Sequence, residues 1–203
     1  TPAGILYEVD MRLRPDGNKG MLVRSLSSFA QYQEHQAWTW EHQALVRARP
    51  VAGDAALADR FGEVRRATLC RRRDPQQLRQ EVCAMRERMR ERLDKSDADR
   101  FDLKQGRGGI ADIEFMVQYS VLRWAAEYPD LVDWTDNIRL LETLGRHRLL
   151  PGAAAADLTQ AYKALRSAYH RSALQDQPTT VPVDQLGSER ERVRGLWREL
   201  LGD

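Results

Sequence analysis

Helical periodicity dominates this sequence from about residue 28 to residue 201. Apolar residues recur three and four positions apart in successive segments, as in Leu78, Val82, Met85, Met89 and Leu93. That spacing lines them along one side of a helix with 3.6 residues per turn, where they can pack against a core. Proline, glycine or aspartate separates the segments, which indicates several helices. The chain is therefore predicted to be mainly α-helical, as a bundle with a core of its own.

Capping signals mark where each helix is predicted to begin. A side chain that accepts a hydrogen bond from a free backbone N–H favours a helix start, and proline is tolerated in the first turn. The predicted starts are Ser28 with Gln31 as a capping box, for a helix that reaches about Arg47, and then Asp54, Asp74–Pro75, Ile110, Thr135 or Asp136, Ala154, and Ser188 with Glu191 as a second box.

The first 26 residues follow another pattern. Residues 5–13 alternate between apolar and polar side chains, which indicates a half-buried strand. The stretch Arg14-Pro15-Asp16-Gly17 is typical of a turn, and Met21–Val23 is a candidate return strand. An isolated hairpin is only marginally stable. We therefore expect residues 1–26 to be a short β-hairpin left from a larger sheet of a longer protein, and residues 27–203 to be a helical domain.

Charge and composition narrow the class of function. The 203 residues carry 32 Lys and Arg against 30 Asp and Glu, a net charge of +2, which argues against a dedicated nucleic-acid binder. No apolar run reaches the roughly 18 residues that would span a bilayer. Cys70 and Cys83 do not make a disulfide framework. We expect a cytoplasmic protein that binds neither nucleic acid nor membranes.

The polar face of the predicted strand is the first candidate site. Glu8, Asp10 and Arg12 stand in a row, each about 6–7 Å from the next. An acidic side chain beside a tight turn can hold a divalent cation, but two-metal phosphoryl or nucleotidyl transfer needs several carboxylates. From the pattern alone, an ordinary solvent face in which Arg12 pairs with Glu8 or Asp10 is the favoured interpretation.

The glycine-rich segment from Lys104 to Gly109 is the second candidate. It precedes a predicted helix, whose free N–H groups and dipole would attract anions. The segment lacks the Gly-Lys-Ser/Thr ending of a Walker loop, and a tight entry into the helix explains its glycines equally well. Asp112 and Glu114 lie about 200° apart around the helix axis, so they cannot share an ion. Asp112 is predicted to be a first-turn acid.

The histidines and tryptophans are predicted to be structural. His35 and His42 are separated by about 10.5 Å along one helix, too far to share a zinc ion, and we interpret them as structural or surface groups. Trp38 and Trp40 are predicted to be core anchors, because large aromatic side chains usually supply buried area.

Arginine-rich runs occur at Arg71–Arg73 and Arg86–Arg92. Acidic residues interleave with them, which is typical of a solvated helix face. The alternative is a contact surface for another protein or for the rest of a longer polypeptide.

Three long strings resemble one known family. They are L-Y-E-V-D-M-R-L-R-P-D-G-N-K-G at residues 6–20, Y-Q-E-H-Q-A-W-T-W-E-H-Q-A-L-V-R-A-R-P-V-A-G-D at 32–54, and F-D-L-K-Q-G-R-G-G-I-A-D-I-E-F-M-V-Q at 101–118. They resemble the bacterial glutamine synthetase adenylyltransferases, and the likeness continues through Asp133–Leu141 and Ser188–Leu201. This family carries two related nucleotidyltransferase units. The W-T-W-E-H-Q stretch and the closing helix resemble the C-terminal unit, which attaches AMP, whereas the N-terminal unit removes it.

The resemblance implies a reaction and assigns roles to particular residues. ATP would be the substrate, Mg²⁺ the cofactor, and a tyrosine hydroxyl of glutamine synthetase the group that attacks the α-phosphorus. Asp10 matches the third aspartate of the family's catalytic site, so it would be both a metal ligand and a catalytic residue. Arg12, Arg14, Lys104 and Arg107 are candidates for contacting the nucleotide. For the first two, ion pairs with Glu8 or Asp16 are the alternative.

One departure from the family pattern limits the expected activity. The family's Gly-Ser motif leads into a D-x-D pair on a neighbouring strand, and no such stretch occurs in this sequence. The chain alone is therefore expected to be inactive. The implied partners are glutamine synthetase, the PII signal protein and the remainder of the same polypeptide. The alternatives are a non-catalytic helical module that docks these proteins, and a uridylyl-transferring relative, against which the W-T-W-E-H-Q stretch argues.

Overall fold

The computed structural model describes residues 10–11 and 14–202. This part of the chain is mainly helical, as predicted, with one small antiparallel sheet. Its regular elements are α1 (Leu26–His35), α2 (Thr39–Val46), α3 (Ala55–Leu69), α4 (Pro75–Leu93), β1 (Arg100–Asp102), α5 (Ile110–Trp124), α6 (Asn137–Arg146), α7 (Ala154–Leu174), β2 (Thr180–Pro182) and α8 (Gly187–Leu201). Within these described residues, every helix is too short or too polar to cross a lipid bilayer.

Helix α5 is the centre of the bundle. Apolar residues occupy nearly every side of it, and only Glu114, Arg123 and Trp124 are not buried. A helix that is apolar all round belongs in the interior. Accordingly, α2, α4, α6, α7 and α8 all pack against α5. Any side chain that α5 directs between its neighbours is therefore held in a fixed position.

The two short strands bring distant segments together. β1 pairs antiparallel with β2, and Phe101 lies opposite Val181. Both of these apolar side chains are buried. The sequence did not indicate this pairing, because three residues are too few for an alternating pattern. The pairing ties the start of the glycine-rich segment to the chain that enters α8.

Three predicted aspartate caps are confirmed. Asp54, Asp74 and Asp136 precede α3, α4 and α6, and each accepts a hydrogen bond from the backbone N–H three residues later, at 2.9, 2.7 and 3.0 Å respectively. Each satisfies a donor that a helix start would otherwise leave free. The α4 start also has the predicted proline in its first turn.

Both predicted serine capping boxes are wrong. Helix α1 begins at Leu26, and its cap is Ser25, which accepts from the N–H of Ser28 at 3.2 Å. Helix α8 begins at Gly187, ahead of Ser188, whose hydroxyl bonds the neighbouring Glu189 instead of capping. In each case the helix starts earlier than the serine motif indicated.

The single helix predicted from residue 28 to about residue 47 is two helices. α1 ends at His35 and α2 begins at Thr39. At the break, the Glu41 carboxylate accepts a hydrogen bond from the N–H of Trp38 at 2.8 Å. That contact satisfies a donor at the start of α2 and so favours a new helix over continuation of the first.

Only part of the predicted hairpin lies in the described residues. Of the predicted strand at residues 5–13, Asp10 and Met11 are described and have no regular secondary structure, and the rest lies outside the described residues. The predicted turn is confirmed, since the N–H of Gly17 donates to the carbonyl of Arg14 at 2.8 Å. The return strand at Met21–Val23 is wrong: these residues are irregular and their side chains are 65–82% exposed.

Candidate functional site

Asp10 precedes the confirmed turn and is exposed. It has contacts of its own, so it is not a free carboxylate. Within residues 10–11 and 14–202, no three His, Cys, Asp or Glu side chains lie close enough to hold a metal ion together. The described residues therefore do not by themselves supply a Mg²⁺ site of the two-metal type, which needs several carboxylates. Arg12, the second predicted residue of this strand, lies outside the described residues.

Arg14 binds carbonyl oxygens of its own turn. Its guanidinium donates to the backbone oxygens of Met11, Gly20 (3.3 Å) and Asn18 (3.5 Å). The alternative of an ion pair with Asp16 is wrong, because Asp16 pairs with Arg24. Arg14 therefore closes the turn, and it retains its positive charge at the edge of the space described next.

Two neighbouring cavities flank Arg14 and Pro15. Their volumes are about 430 and 390 Å³, within the usual range for small-molecule sites. Both also contact the stacked rings of Phe29 and Phe61, whose centroids are 5.9 Å apart. Arginine side chains line the larger cavity beside apolar ones: Arg14, Arg24 and Arg49 with Met21, Leu22 and Leu57. An apolar floor with a cationic edge suits a flat ring that carries an anionic group.

The glycine-rich segment does not leave its backbone donors free. The N–H groups of Gly108, Gly109, Ile110, Ala111 and Asp112 all have acceptors within the protein, at 2.7–3.2 Å. Of the two interpretations of these glycines, the paired N–H groups favour a tight entry into the helix over anion binding by free N–H groups. What the segment offers to a ligand is its cationic side chains. Lys104 and Arg107 are both exposed.

Asp112 is buried and anchors this segment through its hydrogen bonds. Its Oδ1 accepts from Arg86 Nε at 2.6 Å and from an Nη of Arg90 at 3.0 Å, and its Oδ2 accepts from the N–H of Gly108 at 2.7 Å. Asp112 does lie in the first turn of α5, as predicted. Its main contacts, however, are ion pairs with α4. Arg86 also donates to the backbone and side-chain oxygens of Gln105, so α4 holds both ends of the loop.

The prediction of a solvated arginine face on α4 is wrong for two of its members. Arg86 is fully buried and Arg90 is 9% exposed. Burial lowers the pKa of Arg86, an effect that the charge of Asp112 opposes. The sequence pattern was ambiguous here because Arg86 and Arg90 are four residues apart, a spacing that suits a buried stripe as well as a surface one.

Arg73 shows a similar role in the other arginine run. It donates to the carbonyls of Thr68 and Leu69 at 2.8 and 3.0 Å, near the end of α3. Burial lowers its pKa to about 10. Arg71 and Arg72 are exposed, as predicted for that run.

Sequence reasoning missed a polar network on the other side of α5. Glu114 accepts from Arg47 at 2.8 Å and from the hydroxyl of Tyr162 at 3.3 Å. That hydroxyl also accepts from Asn137 at 2.7 Å and from Arg166 at 3.1 Å. Asn137 is 2% exposed, and its side-chain oxygen has no hydrogen-bond partner among the described residues. The available signal was Glu114 itself, a charged residue in the most apolar helix.

Of the four histidines and tryptophans given a role, His35 and His42 were predicted correctly, whereas the two tryptophans are not core anchors. Trp40 is only partly buried and lines the smaller of the two cavities beside Arg14. His42 is fully buried and structural, with its Nε2 3.0 Å from the carbonyl of Gln33. His35 is on the surface. Trp38, predicted to be a core anchor, is instead 70% exposed. It lies at the break between α1 and α2, where the chain turns away from the core.

Comparison with known proteins shows which families and relatives this chain resembles. Residues 1–64 match the family model described as glutamate-ammonia ligase adenylyltransferase, and residues 76–188 match the model described as GlnD PII-uridylyltransferase. The chain is 53% identical over 201 residues to the bifunctional glutamine synthetase adenylyltransferase/adenylyl-removing enzyme of Thioalkalivibrio sulfidiphilus. That alignment covers 99% of this chain and 21% of the relative.

Two further relatives carry the same name. The protein of Hahella chejuensis is 51% identical over 208 residues, covering 100% of this chain and 22% of the relative. The protein of Nitrosococcus oceani is 53% identical over 203 residues, covering 100% of this chain and 21% of the relative. The chain belongs to the glutamine synthetase adenylyltransferase family. It spans about a fifth of the length of these curated relatives.

The two family models match different parts of this chain, and the boundary between the matches lies between α3 and α4. The first ends at residue 64, within α3, and the second begins at residue 76, at the start of α4. Asp10 and Arg14 fall in the first, whereas Lys104 and Arg107 fall in the second. Arg14 donates to backbone oxygens of its own turn, whereas Arg107 pairs with Glu87 of α4.

Proposed function

We propose that this chain is part of the adenylylating unit of a glutamine synthetase adenylyltransferase, which transfers AMP from ATP to a tyrosine of glutamine synthetase. Residues 1–26 would belong to the catalytic sheet and residues 27–203 to the helical domain beside it. The observation that carries the proposal is the identity of 51–53% across the whole chain with relatives named for that activity. Asp10 is exposed, and Arg14 of the turn that follows it lines a cavity with other arginines, which is consistent with the proposal.

Asp10 is the proposed catalytic residue and Mg²⁺ ligand. When bound, Mg²⁺ would neutralise charge on the ATP phosphates. Because the described residues hold no cluster of three potential ligands, the other carboxylates would come from elsewhere in the longer polypeptide. We therefore expect the 203-residue chain alone not to transfer AMP. Arg14, with Arg12, would lie near the phosphates, while Lys104 and Arg107 would contact the nucleotide from the glycine-rich segment.

The test uses glutamine synthetase, Mg²⁺ and ATP labelled in the α-phosphate. The complete polypeptide should label glutamine synthetase, and the 203-residue chain should not. In the complete polypeptide, Asp10→Asn should lower the rate by about 10²–10⁴-fold, the range for a residue that handles the transferred proton. Asp16→Asn is the matched control, since Asp16 is an exposed acid of the same turn that pairs with Arg24. Labelling by the short chain, or equal rates for the two variants, would refute the proposal.

A docking function is the second candidate. Met21, Leu22 and Val23 expose apolar side chains beside the larger cavity, and such a patch suits contact with another protein. Under this proposal the chain would bind glutamine synthetase or the PII signal protein without nucleotide. Calorimetric titration of the chain with each protein distinguishes the candidates. Binding that Leu22→Ser weakens and that ATP does not affect would favour docking.

A further inference from the structure

A small cavity lies between the glycine-rich segment and α8. Its volume is about 130 Å³, well below the roughly 300 Å³ at which sites for drug-sized ligands begin. It therefore has room for a compact group and not for a whole nucleotide. Six residues line it: Arg90, Arg107, Asp112, Arg194, Trp197 and Arg198.

The side chains around this cavity are almost all hydrogen-bond donors. Arginine and tryptophan donate and cannot accept. Asp112 is the one acceptor among the lining side chains, and both of its oxygens are already engaged. Oδ1 accepts from Arg86 and Arg90, and Oδ2 accepts from the N–H of Gly108. A ligand that fits here must therefore bring acceptors of its own.

The charges of the lining are also unbalanced. Arg90 and Arg107 share Glu87, and Arg90 shares Asp112 with the fully buried Arg86. Arg198 forms no side-chain hydrogen bond or ion pair with any described residue. Positive charge is thus in excess where water is partly excluded, and like charges repel more strongly there than in bulk solvent.

Two of the guanidinium groups are already held in place. Arg194 donates to the carbonyl of Arg107 at 3.1 Å and to Glu191 at 2.6 Å. Arg90 is only 9% exposed, and its Nε has no hydrogen-bond acceptor in the described part of the chain. A ligand would therefore meet fixed donors and lose little side-chain freedom in binding.

We propose that this cavity binds a tetrahedral oxyanion, namely phosphate, either free or as a phosphate group of a nucleotide. Several guanidinium forks converging on a small space match the oxygens of phosphate, and such charge-assisted hydrogen bonds are the strong ones. Arg198 is an exposed residue of the lining, and Arg90 is a buried one. The proposal does not depend on the adenylyl-transfer activity, because it rests on contacts within this chain.

The test is calorimetric titration of the chain with inorganic phosphate at constant ionic strength, with chloride as the balancing anion. We expect saturable binding that Arg198→Ala weakens by about tenfold, the value of one charge-assisted hydrogen bond. Arg198→Lys should retain more of the affinity than Arg198→Ala. Arg192→Ala is the matched control, because Arg192 is an exposed arginine of the same helix that pairs with Asp157, outside the cavity.

Competition identifies the source of the anion. If ATP displaces phosphate, and Arg198→Ala weakens both, the site takes a phosphate of the nucleotide. If phosphate binds and ATP does not compete, the site takes free phosphate. No saturable phosphate binding, or equal weakening by Arg198→Ala and Arg192→Ala, would overturn the proposal. Arg198 is exposed, so its variants should keep the circular dichroism of the parent chain.

Discussion

The glycine-rich segment and the N-terminal turn are both candidate parts of the site, and they are stabilised differently. Buried charges hold the glycine-rich segment: Asp112 is 3% exposed and Arg86 fully buried. The N-terminal turn depends on contacts nearer the surface, such as the ion pair between Arg24 and the half-exposed Asp16. The glycine-rich segment is therefore anchored in the core, whereas the N-terminal turn is held at the surface.

This contrast shows how the two loops differ as sites. A buried ion pair fixes geometry, because breaking it leaves a charge unsolvated. The glycine-rich segment can therefore present Lys104 and Arg107 at constant positions. Exposed ion pairs contribute little to stability, so the N-terminal turn can change its conformation when a partner packs against Met21–Val23. Substitutions that test this contrast should lower the free energy of unfolding strongly in the glycine-rich segment and weakly in the N-terminal turn.

Asp112→Asn should have the largest effect. The amide keeps the shape of the carboxylate but leaves the fully buried Arg86 without its ion-pair partner, and leaves Arg90 with only the part-exposed Glu87. Loss of one partner from a buried pair costs about 3–5 kcal/mol, so the free energy of unfolding should fall by that amount in urea denaturation. Asp133→Asn is the control, since Asp133 pairs with Arg66 at 3.0 Å with both side chains about half exposed. It should cost under about 1 kcal/mol, and similar losses for the two variants would contradict the contrast.

Acidification should lower stability through His42, a fully buried residue of α2. Its Nε2–H donates to Gln33 of α1, and its Nδ1 faces Arg71 beyond α3, an arrangement that suits the neutral ring. Burial, with Arg71 and Arg73 adding, lowers the pKa of His42 to about 4. The unfolded chain, with a pKa near 6.5, therefore binds more protons between those values. Stability is fully present above about pH 6.5 and should fall by up to about 3 kcal/mol as the pH drops to 4.

The measurement is the difference in unfolding free energy between the parent chain and His42→Gln at several pH values. The glutamine amide can donate to Gln33 but does not titrate in this range. The variant should lose less stability than the parent on acidification. His35→Gln, at an exposed position of α1, should follow the parent. A parent and a His42→Gln curve that run parallel from pH 7 to 4 would exclude this role.

The sequence was sufficient to predict the helical class, the aspartate caps and the start of α5 at Ile110. Those features depend on local signals: side chains within three residues of a helix start, or the apolar periodicity of one segment. It was insufficient for the role of Arg86 and Arg90. Whether an arginine on α4 faces water or Asp112 depends on how α4 packs on α5, and no pattern within α4 contains that information.

The candidate site divides in the same way. The resemblance assigned roles to Asp10, Arg14 and the glycine-rich segment, and those roles stay predictions. The N–H groups at the start of α5 are not free, because the loop folds back and satisfies them. The network around Glu114 and Tyr162 was missed since its members lie 48 residues apart. Long-range polar contacts of this kind are visible only when the helices are assembled.

Gly108→Ala should have the next largest effect on stability, because it strains the backbone. Gly108 has φ = 85°, and a Cβ there would lie 2.6 Å from the carbonyl oxygen of Arg190. Gly53, beside the larger N-terminal cavity, also has positive φ, at 117°, but a Cβ there would meet nothing within 4 Å. Both alanine variants carry backbone strain, and only Gly108→Ala adds a clash with α8. We expect it to cost about 2 kcal/mol more than Gly53→Ala, measured by thermal unfolding. Equal costs would show that α8 moves away without penalty.

Tyr32→Phe should have the smallest effect, and it probes how the N-terminal turn is attached. The Tyr32 hydroxyl donates to the Glu41 carboxylate at 3.0 Å and accepts from the N–H of Asp16 at 3.4 Å, so it links the turn to α2. The ring remains to pack in the variant, and Glu41 still accepts from Trp38. The loss should be about 1 kcal/mol, the value of one hydrogen bond that water partly replaces. Tyr169→Phe, which removes a hydroxyl with no hydrogen bond to the described residues, should cost less. Because this hydroxyl is a hydrogen-bonded link between the turn and α2, hydrogen exchange of residues 14–25 should accelerate in Tyr32→Phe while that of α5 stays unchanged. Faster exchange in α5 would mean that the turn and the core unfold together, and that the two loops are not independent.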